Sequence, residues 1–420
     1  MQYNIMIEQF REDVSDFVKD YNRECDSSSI DELCEYVSEM LLNIGYNKKY
    51  IFDRFIRQTI CELFPENYGY IYNNFHVEDK PEIVEFLKTL PQHEQRTEAW
   101  YNDRINSIGA SESSAIFGLN PYETENKLII KKCGVVNEND QKRMKAVCEH
   151  GVKYEPIIQE MYCRDKNTSI LEFGSIRHQD EELSIITASP DGITPTGNML
   201  EIKAPAKRII TGIPPPYYWV QCQQQMQVCR LDVVDFLEVK IEEYTNLQSY
   251  IDDNNGDEDS PYTSTNKEKN VVIEYYKLES DDELGYIYPD RLLNTSEISK
   301  WKNKIINELE KSDDKQFRRM SYWKCSQYCL TPIYKDHEWW NKNVHKYNEF
   351  WSKVLQYRKN GIDDLLPKSR KPKITQEKKA ECLIVSDDES NPVIIPTNTS
   401  YNACVGTNYS EECLIESDEN

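Results

Sequence analysis

The stretch Ser189-Pro190-Asp191-Gly192-Ile193, followed ten residues after its aspartate by Glu201-Ile202-Lys203, decides how this chain is read. Between them lies Thr194-Pro195-Thr196-Gly197-Asn198, rich in residues that close hairpins. The pattern predicts a short strand over 184–188 with Asp191 at its end, and a neighbouring strand over 199–203. Side chains alternate along a strand, so Glu201 and Lys203 share one face. Asp191, Glu201 and Lys203 can then converge on one cation, with the carbonyl of Ile202 as a further ligand. Oxygen ligands suit Mg²⁺, with Mn²⁺ as its substitute, rather than a thiophilic metal. Such an ion lowers the pKa of a bound water and stabilises charge on a phosphoryl group, and a lysine beside it orients that water. The set is the minimum for metal-assisted hydrolysis of a phosphodiester. An exposed hairpin with ordinary charges is the plainer alternative, and the neighbouring segments weigh against it.

Glu155, in Gly151-Val152-Lys153-Tyr154-Glu155-Pro156, stands in an otherwise apolar helical run with Ile157, Ile158, Met161 and Tyr162. A carboxylate there can face the sheet and assist the same metal or a second one. Five glutamines occupy the seven positions 221–227. Gln221 and Gln225 lie four apart on one helix face, and an amide can donate to a phosphate or accept from a metal-bound water. A solvated polar face is the alternative. Arg104 and Ser111 flank a break before Gly109-Ala110-Ser111, which predicts a helix start with Ser111 as its N-cap. A helix N-terminus with a hydroxyl, joined by an arginine fork, suits a phosphate.

A net charge of −23 argues against a generic polyanion binder. The acid is uneven, however. Residues 251–290 hold twelve Asp/Glu against three Lys/Arg, and the segment after Pro367 holds ten against six, so the remainder lies much closer to balance. No run of eighteen apolar residues predicts a membrane span. The start, Met1–Glu12, is amphipathic and acidic, unlike a signal peptide. Thirteen scattered cysteines read as reduced thiols of an intracellular protein. Among them Cys222, Cys229, Cys325 and Cys329 lack iron–sulfur spacing and read as core.

Apolar periodicity predicts helices over 3–24, about 31–42 (capped by Ser29 or Asp31) and 48–63, a helical N-terminal module of residues 1–64. Residues 65–94 read as an irregular linker. Within 95–366 the expected order is helices 96–106, 124–133 and 141–163, strands 170–178, 184–188 and 199–203, helix 217–228 and strand 233–241. An acidic loop (251–269), strand 271–278 and C-terminal helices within 294–360 follow, with an aromatic-rich segment at 322–328. That order predicts an α/β domain with a central mixed sheet flanked by helices. Residues 367–420 are charged and without periodicity, and read as a disordered acidic tail.

Arg104…Gly109-Ala110-Ser111-Glu112, Gly118-Leu119-Asn120-Pro121-Tyr122, Gly151…Glu155-Pro156, Ser189-Pro190-Asp191-Gly192, Glu201-Ile202-Lys203 and Tyr217-Tyr218…Gln221-x-Gln223-x-Gln225-Met226 occur in one order. In that order, over roughly 95–245, the chain resembles the YqaJ-type viral recombinases of large nucleocytoplasmic DNA viruses. These form the lambda-exonuclease branch of the PD-(D/E)XK nucleases. The resemblance implies a restriction-endonuclease-like core and assigns roles by position. Asp191, Glu201, the Ile202 carbonyl and Glu155 would bind Mg²⁺, and Lys203 would be the catalytic lysine. Gln221 and Gln225 would orient the scissile phosphate or structure the site, and Arg104 and Ser111 would hold a terminal 5′-phosphate. The implied activity is 5′→3′ digestion of double-stranded DNA ends, leaving single strands for viral recombination or repair. The implied partners are those DNA ends, a single-strand annealing protein and further copies of the chain in a trimer, with no membrane. The setting would be the host cytoplasm or a viral replication site, with the nucleus left open. Two rival readings are a structure-directed endonuclease of the same fold and a catalytically silent DNA-binding scaffold. Intact Asp191, Glu201 and Lys203 argue against the scaffold. The N-terminal module and the acidic insertion lie outside the family's core pattern.

Overall fold

The computed structural model describes residues 2–24, 30–45, 78–93, 97–135, 138–278 and 283–366, with isolated positions between 56 and 64. In chain order the elements are α1 (Gln2–Glu24), α2 (Ile30–Asn43), α3 (Pro81–Thr89), α4 (Glu98–Ile105), β1 (Ile108–Gly109), α5 (Ser113–Ile116), α6 (Glu125–Lys132) and α7 (Glu138–Lys166). Next come β2 (Ile176–Arg177), β3 (Ile186–Ala188), β4 (Gly192–Ile193), β5 (Met199–Lys203), α8 (Pro216–Cys229), β6 (Val233–Glu243), α9 (Leu247–Asp252), β7 (Lys269–Lys277) and β8 (Glu283–Ile287). The last are α10 (Thr295–Leu309), β9 (Lys315–Tyr334), α11 (His337–Asn343) and α12 (His345–Asn360).

Six strands form the main sheet in the order β4-β5-β6-β9-β7-β8. β5 and β6 are parallel, and the other neighbouring pairs run antiparallel. A smaller sheet, β1-β3-β2, stands beside it. β6 is buried along nearly its whole length, as a parallel strand covered on both faces must be. On one face α7 packs Tyr154, Ile157, Ile158, Met161 and Tyr162 against Leu200, Ile202, Leu237 and Val239. On the other, α8 packs Trp219, Val220, Cys222 and Met226 with Val234, Phe236 and Ile333, and α12 adds Phe350 and Val354. The expected α/β architecture, a mixed sheet between helical layers, is the one adopted. The strand alternation divides β5 cleanly: Leu200 and Ile202 face α7, and Met199, Glu201 and Lys203 turn toward α8.

The hairpin between β4 and β5 closes as its residues demand. Thr194 N–H donates to the Asn198 carbonyl at 2.8 Å, and Gly197 adopts φ +98°, a left-handed conformation that glycine takes without strain. Gly192 serves close approach instead: a Cβ there would collide with Ile170.

Several segments differ from expectation. Residues 315–334 form one twenty-residue strand at the heart of the sheet, where only an aromatic-rich connection was expected. The last of the C-terminal helices expected within 294–360 is broken at Val344 into α11 and α12. Gly109-Ala110-Ser111 does not open an α-helix: Ala110–Glu112 is a 3₁₀ turn, so Ser111 is not an N-cap. The acidic loop is tightly tied. Asp253 accepts from the Ser264 N–H and hydroxyl at 2.9 Å each, and buried Lys269 donates to the carbonyls of Tyr250 and Asp253 at 2.6 Å. α1 and α2 share a core of Phe10, Val14, Val18, Leu33, Val37 and Leu41, which also takes in Ile213 from the loop before α8. Most of the expected helix 48–63, residues 65–77 of the expected linker and all of 367–420 lie outside the described residues. The described part of that linker is not irregular, since 81–89 form α3, which packs Val84 and Leu87 into the main core. Cys222, Cys229, Cys325 and Cys329 are buried free thiols, as a core role requires.

Gly192→Ala is expected to lower stability by about 1–3 kcal/mol through overpacking against Ile170. An unchanged midpoint in urea denaturation would show that the β4 approach tolerates a side chain.

Candidate active site

β5 carries the centre. Glu201 is 2 % exposed and sits in the parallel register beside Phe236 of β6. Lys203 Nζ, on the same face, donates to Glu201 Oε1. From α8, Gln221 Nε2 donates to Oε1 and Gln225 Nε2 to Oε2, both at 2.6 Å. The four-residue spacing that set these two amides on one helix face therefore aims both at a single carboxylate. The other glutamines take structural tasks. Gln224 bridges the carbonyls of Ile108 in β1 and Thr187 in β3, and Gln223 donates to the Tyr334 carbonyl and accepts from Asp336 N–H. Gln221, Gln223, Gln224 and Gln225 are buried and Gln227 half-buried, so the run is not a solvated polar face. Gln225 Oε1 is buried and finds no partner among the described residues.

Asp191 stands between β3 and β4 and accepts from the Ile202 N–H at 2.7 Å. The β4–β5 hairpin thereby brings it against β5, whereas β3, the strand expected to neighbour β5, lies in the smaller sheet. Burial pushes its carboxyl well above the ordinary range, and the negative charges of Glu201 and Glu155 push it further; Lys203 and the Ile202 N–H oppose them only in part. Glu155 approaches from α7, and two anchors fix that helix along the sheet. Lys153 Nζ bonds Glu243 and Glu274 at 2.5 and 2.7 Å, and Tyr162 donates to Asp235 at 2.6 Å. The Lys203 ammonium is disfavoured by burial, yet Glu201, Tyr218 and Asp191 outweigh this and raise its pKa.

Asp191 and Glu201 thus face one ammonium and Glu155 adds its charge beside Asp191, which leaves an excess of negative charge in a partly desolvated place. Among the described residues no three His, Cys, Asp or Glu side chains close into a ready ligand cage. The fit to a divalent cation rests on the donor chemistry: hard oxygens whose mutual repulsion a cation would relieve.

A small cleft adjoins this centre. It is lined by Arg104, Ser111, Ser175, Ser189, Gln221 and Gln225 among others. The expected phosphate-binding pair therefore lies beside the glutamines that hold Glu201. Ser111 is exposed at its rim. Glu112, which the sequence reading left without a role, organises this wall. It accepts from Gly109 N–H at 2.9 Å and from Lys132 at 2.6 Å, pairs with Lys131 at 2.9 Å and stands 3.9 Å from Arg104. Burial alone would raise the Glu112 carboxyl; Lys132, Lys131 and Arg104 outweigh it and hold the pKa at about 2. Its signal was the Gly-x-x-Glu spacing at 109–112, which makes half of a capping box: the carboxylate reaches back to the Gly109 N–H, and glycine has no side chain for the reciprocal bond.

Fold and centre together define an α/β protein with a Pro-Asp…Glu-x-Lys site. Residues 99–232 match the YqaJ-like viral recombinase domain family. The chain is 30 % identical over 329 residues to the uncharacterized protein R354 of Acanthamoeba polyphaga mimivirus, covering 70 % of this chain and 59 % of that protein. It is 29 % identical over 85 residues to a protein of African swine fever virus (strain Badajoz 1971 Vero-adapted), covering 20 % and 23 % respectively. The chain thus spans less than two thirds of either relative. Among solved structures, an alkaline exonuclease (LHK-Exo) from Laribacter hongkongensis aligns with a TM-score of 0.37 and 16 % identity, over 63 % of this chain and 95 % of that one.

Glu112→Gln removes the ionic partner of Lys132, which is 1 % exposed and otherwise donates to the Arg104 carbonyl, and is expected to cost about 3–5 kcal/mol. The contribution of a carboxylate held below its ordinary 4.5 is complete above that pH and fades as pH falls toward about 2. Wild type should therefore lose stability over that window more steeply than Glu112→Gln. Parallel acid-stability profiles would contradict this.

Proposed function

We propose that the chain is a Mg²⁺-dependent deoxyribonuclease, a 5′→3′ exonuclease acting on double-stranded DNA ends. The observation that carries this reading is the convergence of Asp191 and Glu201 on Lys203, with the charge of Glu155 bearing on Asp191, beside the cleft that holds Arg104 and Ser111. Asp191, Glu201, Glu155 and the Ile202 carbonyl would hold Mg²⁺ or Mn²⁺. The bound ion would supply water activation and neutralise charge on the phosphate. Lys203, kept charged by Glu201, would donate to the attacking water and orient it. Gln221 and Gln225 fix Glu201, and the unpartnered Oε1 of Gln225 is available to accept from that water. Arg104 would grip the terminal 5′-phosphate through its planar fork, with the Ser111 hydroxyl as a second donor. The product would be a 5′-phosphorylated nucleotide and a lengthening single strand on the opposite side. Such a strand suits a single-strand annealing protein in viral DNA recombination or repair, and a trimer encircling the duplex belongs to the same reading. Among the described residues no helix is long and apolar enough to cross a membrane.

A 5′-phosphorylated linear duplex, incubated with Mg²⁺ beside a covalently closed circle, tests the reading. Mononucleotides should appear from the linear duplex alone and stop on chelation. Lys203→Ala should lower turnover by about a hundredfold or more while DNA binding stays within a few-fold. Cutting of the circle would turn the assignment to an endonuclease. DNA binding without cleavage of either substrate would turn it to a scaffold.

A further inference from the structure

The loop 118–123 leaves α5 and carries Tyr122 into solvent, 75 % exposed. The loop is nevertheless fixed. Gly118, at φ +66°, ends the helix, and the N–H groups of Leu119 and Asn120 both return to the Ser114 carbonyl at 2.9 and 3.2 Å. Asn120 Oδ1 accepts from the N–H groups of Tyr122 and Glu123 at 2.9 and 3.1 Å, and Pro121 locks its own φ. A large aromatic residue is thus held at one place outside the core.

Its ring meets that of Tyr217 at 6.3 Å and 86°. Tyr217 packs on Tyr218 at 4.3 Å, and Tyr218 lies 4.7 Å from Lys203 Nζ and 5.7 Å from the Arg208 guanidinium. Three rings therefore run from solvent to the amine at the centre of the site, with cations at the inner end. Tyr217 precedes Gln221 by four residues on α8, so the row starts about one helical turn from the cleft.

We propose that Tyr122, backed by Tyr217, is a stacking platform for an unpaired nucleobase of the strand whose phosphate enters the site. This rests on the nuclease reading and gives it a preference: an end whose terminal base has left the duplex. Ring faces take any base, whereas the proposed metal site beyond them takes the phosphate, Lys203 and Arg208 there being paired with Glu201 and Glu238; a ring beside a phosphate site is the chemistry of a single-stranded nucleic acid.

The test is equilibrium binding, with Ca²⁺ in place of Mg²⁺, of a 5′-phosphorylated duplex and of three versions lacking the base at the first, second or third nucleotide. In wild type one of these should bind about tenfold more weakly. Tyr122→Phe should keep that penalty, and Tyr122→Ala should bind the intact duplex about tenfold more weakly with no further loss on base removal. Absence of a penalty at all three positions in wild type, or its persistence in Tyr122→Ala, would overturn the platform. Cleavage by wild type, followed in parallel with Mg²⁺, separates the two claims. Retained cleavage without a penalty removes the platform alone, and neither binding nor cleavage removes the nuclease reading and the platform with it.

Discussion

Glu201 is a nearly inaccessible carboxylate in the interior of a sheet, and a bare charge there would cost several kcal/mol. It is tolerated because Lys203, two residues along its own strand, and the paired amides of Gln221 and Gln225 donate to it. These bonds also fix how α8 lies on β5. The same helix clamps the smaller sheet through Gln224 and the end of β9 through Gln223. The packing of one face of the domain and the electrostatics of the site are therefore a single hydrogen-bond system. A shift of α8 would under-satisfy a buried charge as well as open the core.

The opposite face supplies the complement. Ile202 turns its side chain into the core under α7 while its N–H holds Asp191, so one residue of β5 links hydrophobic packing to the second carboxylate. Lys153 and Tyr162 then fix α7, which carries Glu155. Carboxylates thus arrive from a hairpin, a strand and a helix. Their repulsion is a standing cost of the folded state, of the kind that functional sites retain and that a cation would relieve.

Much of this was legible in the sequence because it depends on short-range rules. Turn chemistry at 194–198 brought Asp191 to β5, strand alternation put Glu201 and Lys203 on one face, and i,i+4 spacing paired Gln221 with Gln225. What escaped depends on distant neighbours. Along β9 the buried residues alternate from Ser321 through Trp323 and Cys325, and again over Cys329, Thr331 and Ile333. Lys, Arg and Gln on the partly exposed face masked that period, as did Pro332. The structural tasks of Gln223 and Gln224 escaped because nothing local reveals that carbonyls from β1, β3 and β9 await them. Ser111 looked like a cap because the capping pattern was read around its hydroxyl, whereas the Glu112 carboxylate makes the bond to Gly109 N–H.

The central claim is that these three carboxylates form a cation site. Electron paramagnetic titration of Mn²⁺, with Mg²⁺ as competitor, tests it without requiring turnover. Wild type should bind Mn²⁺ and release it to Mg²⁺, and Asp191→Asn should bind about tenfold more weakly or worse. Equal Mn²⁺ affinity in the two proteins would contradict the account.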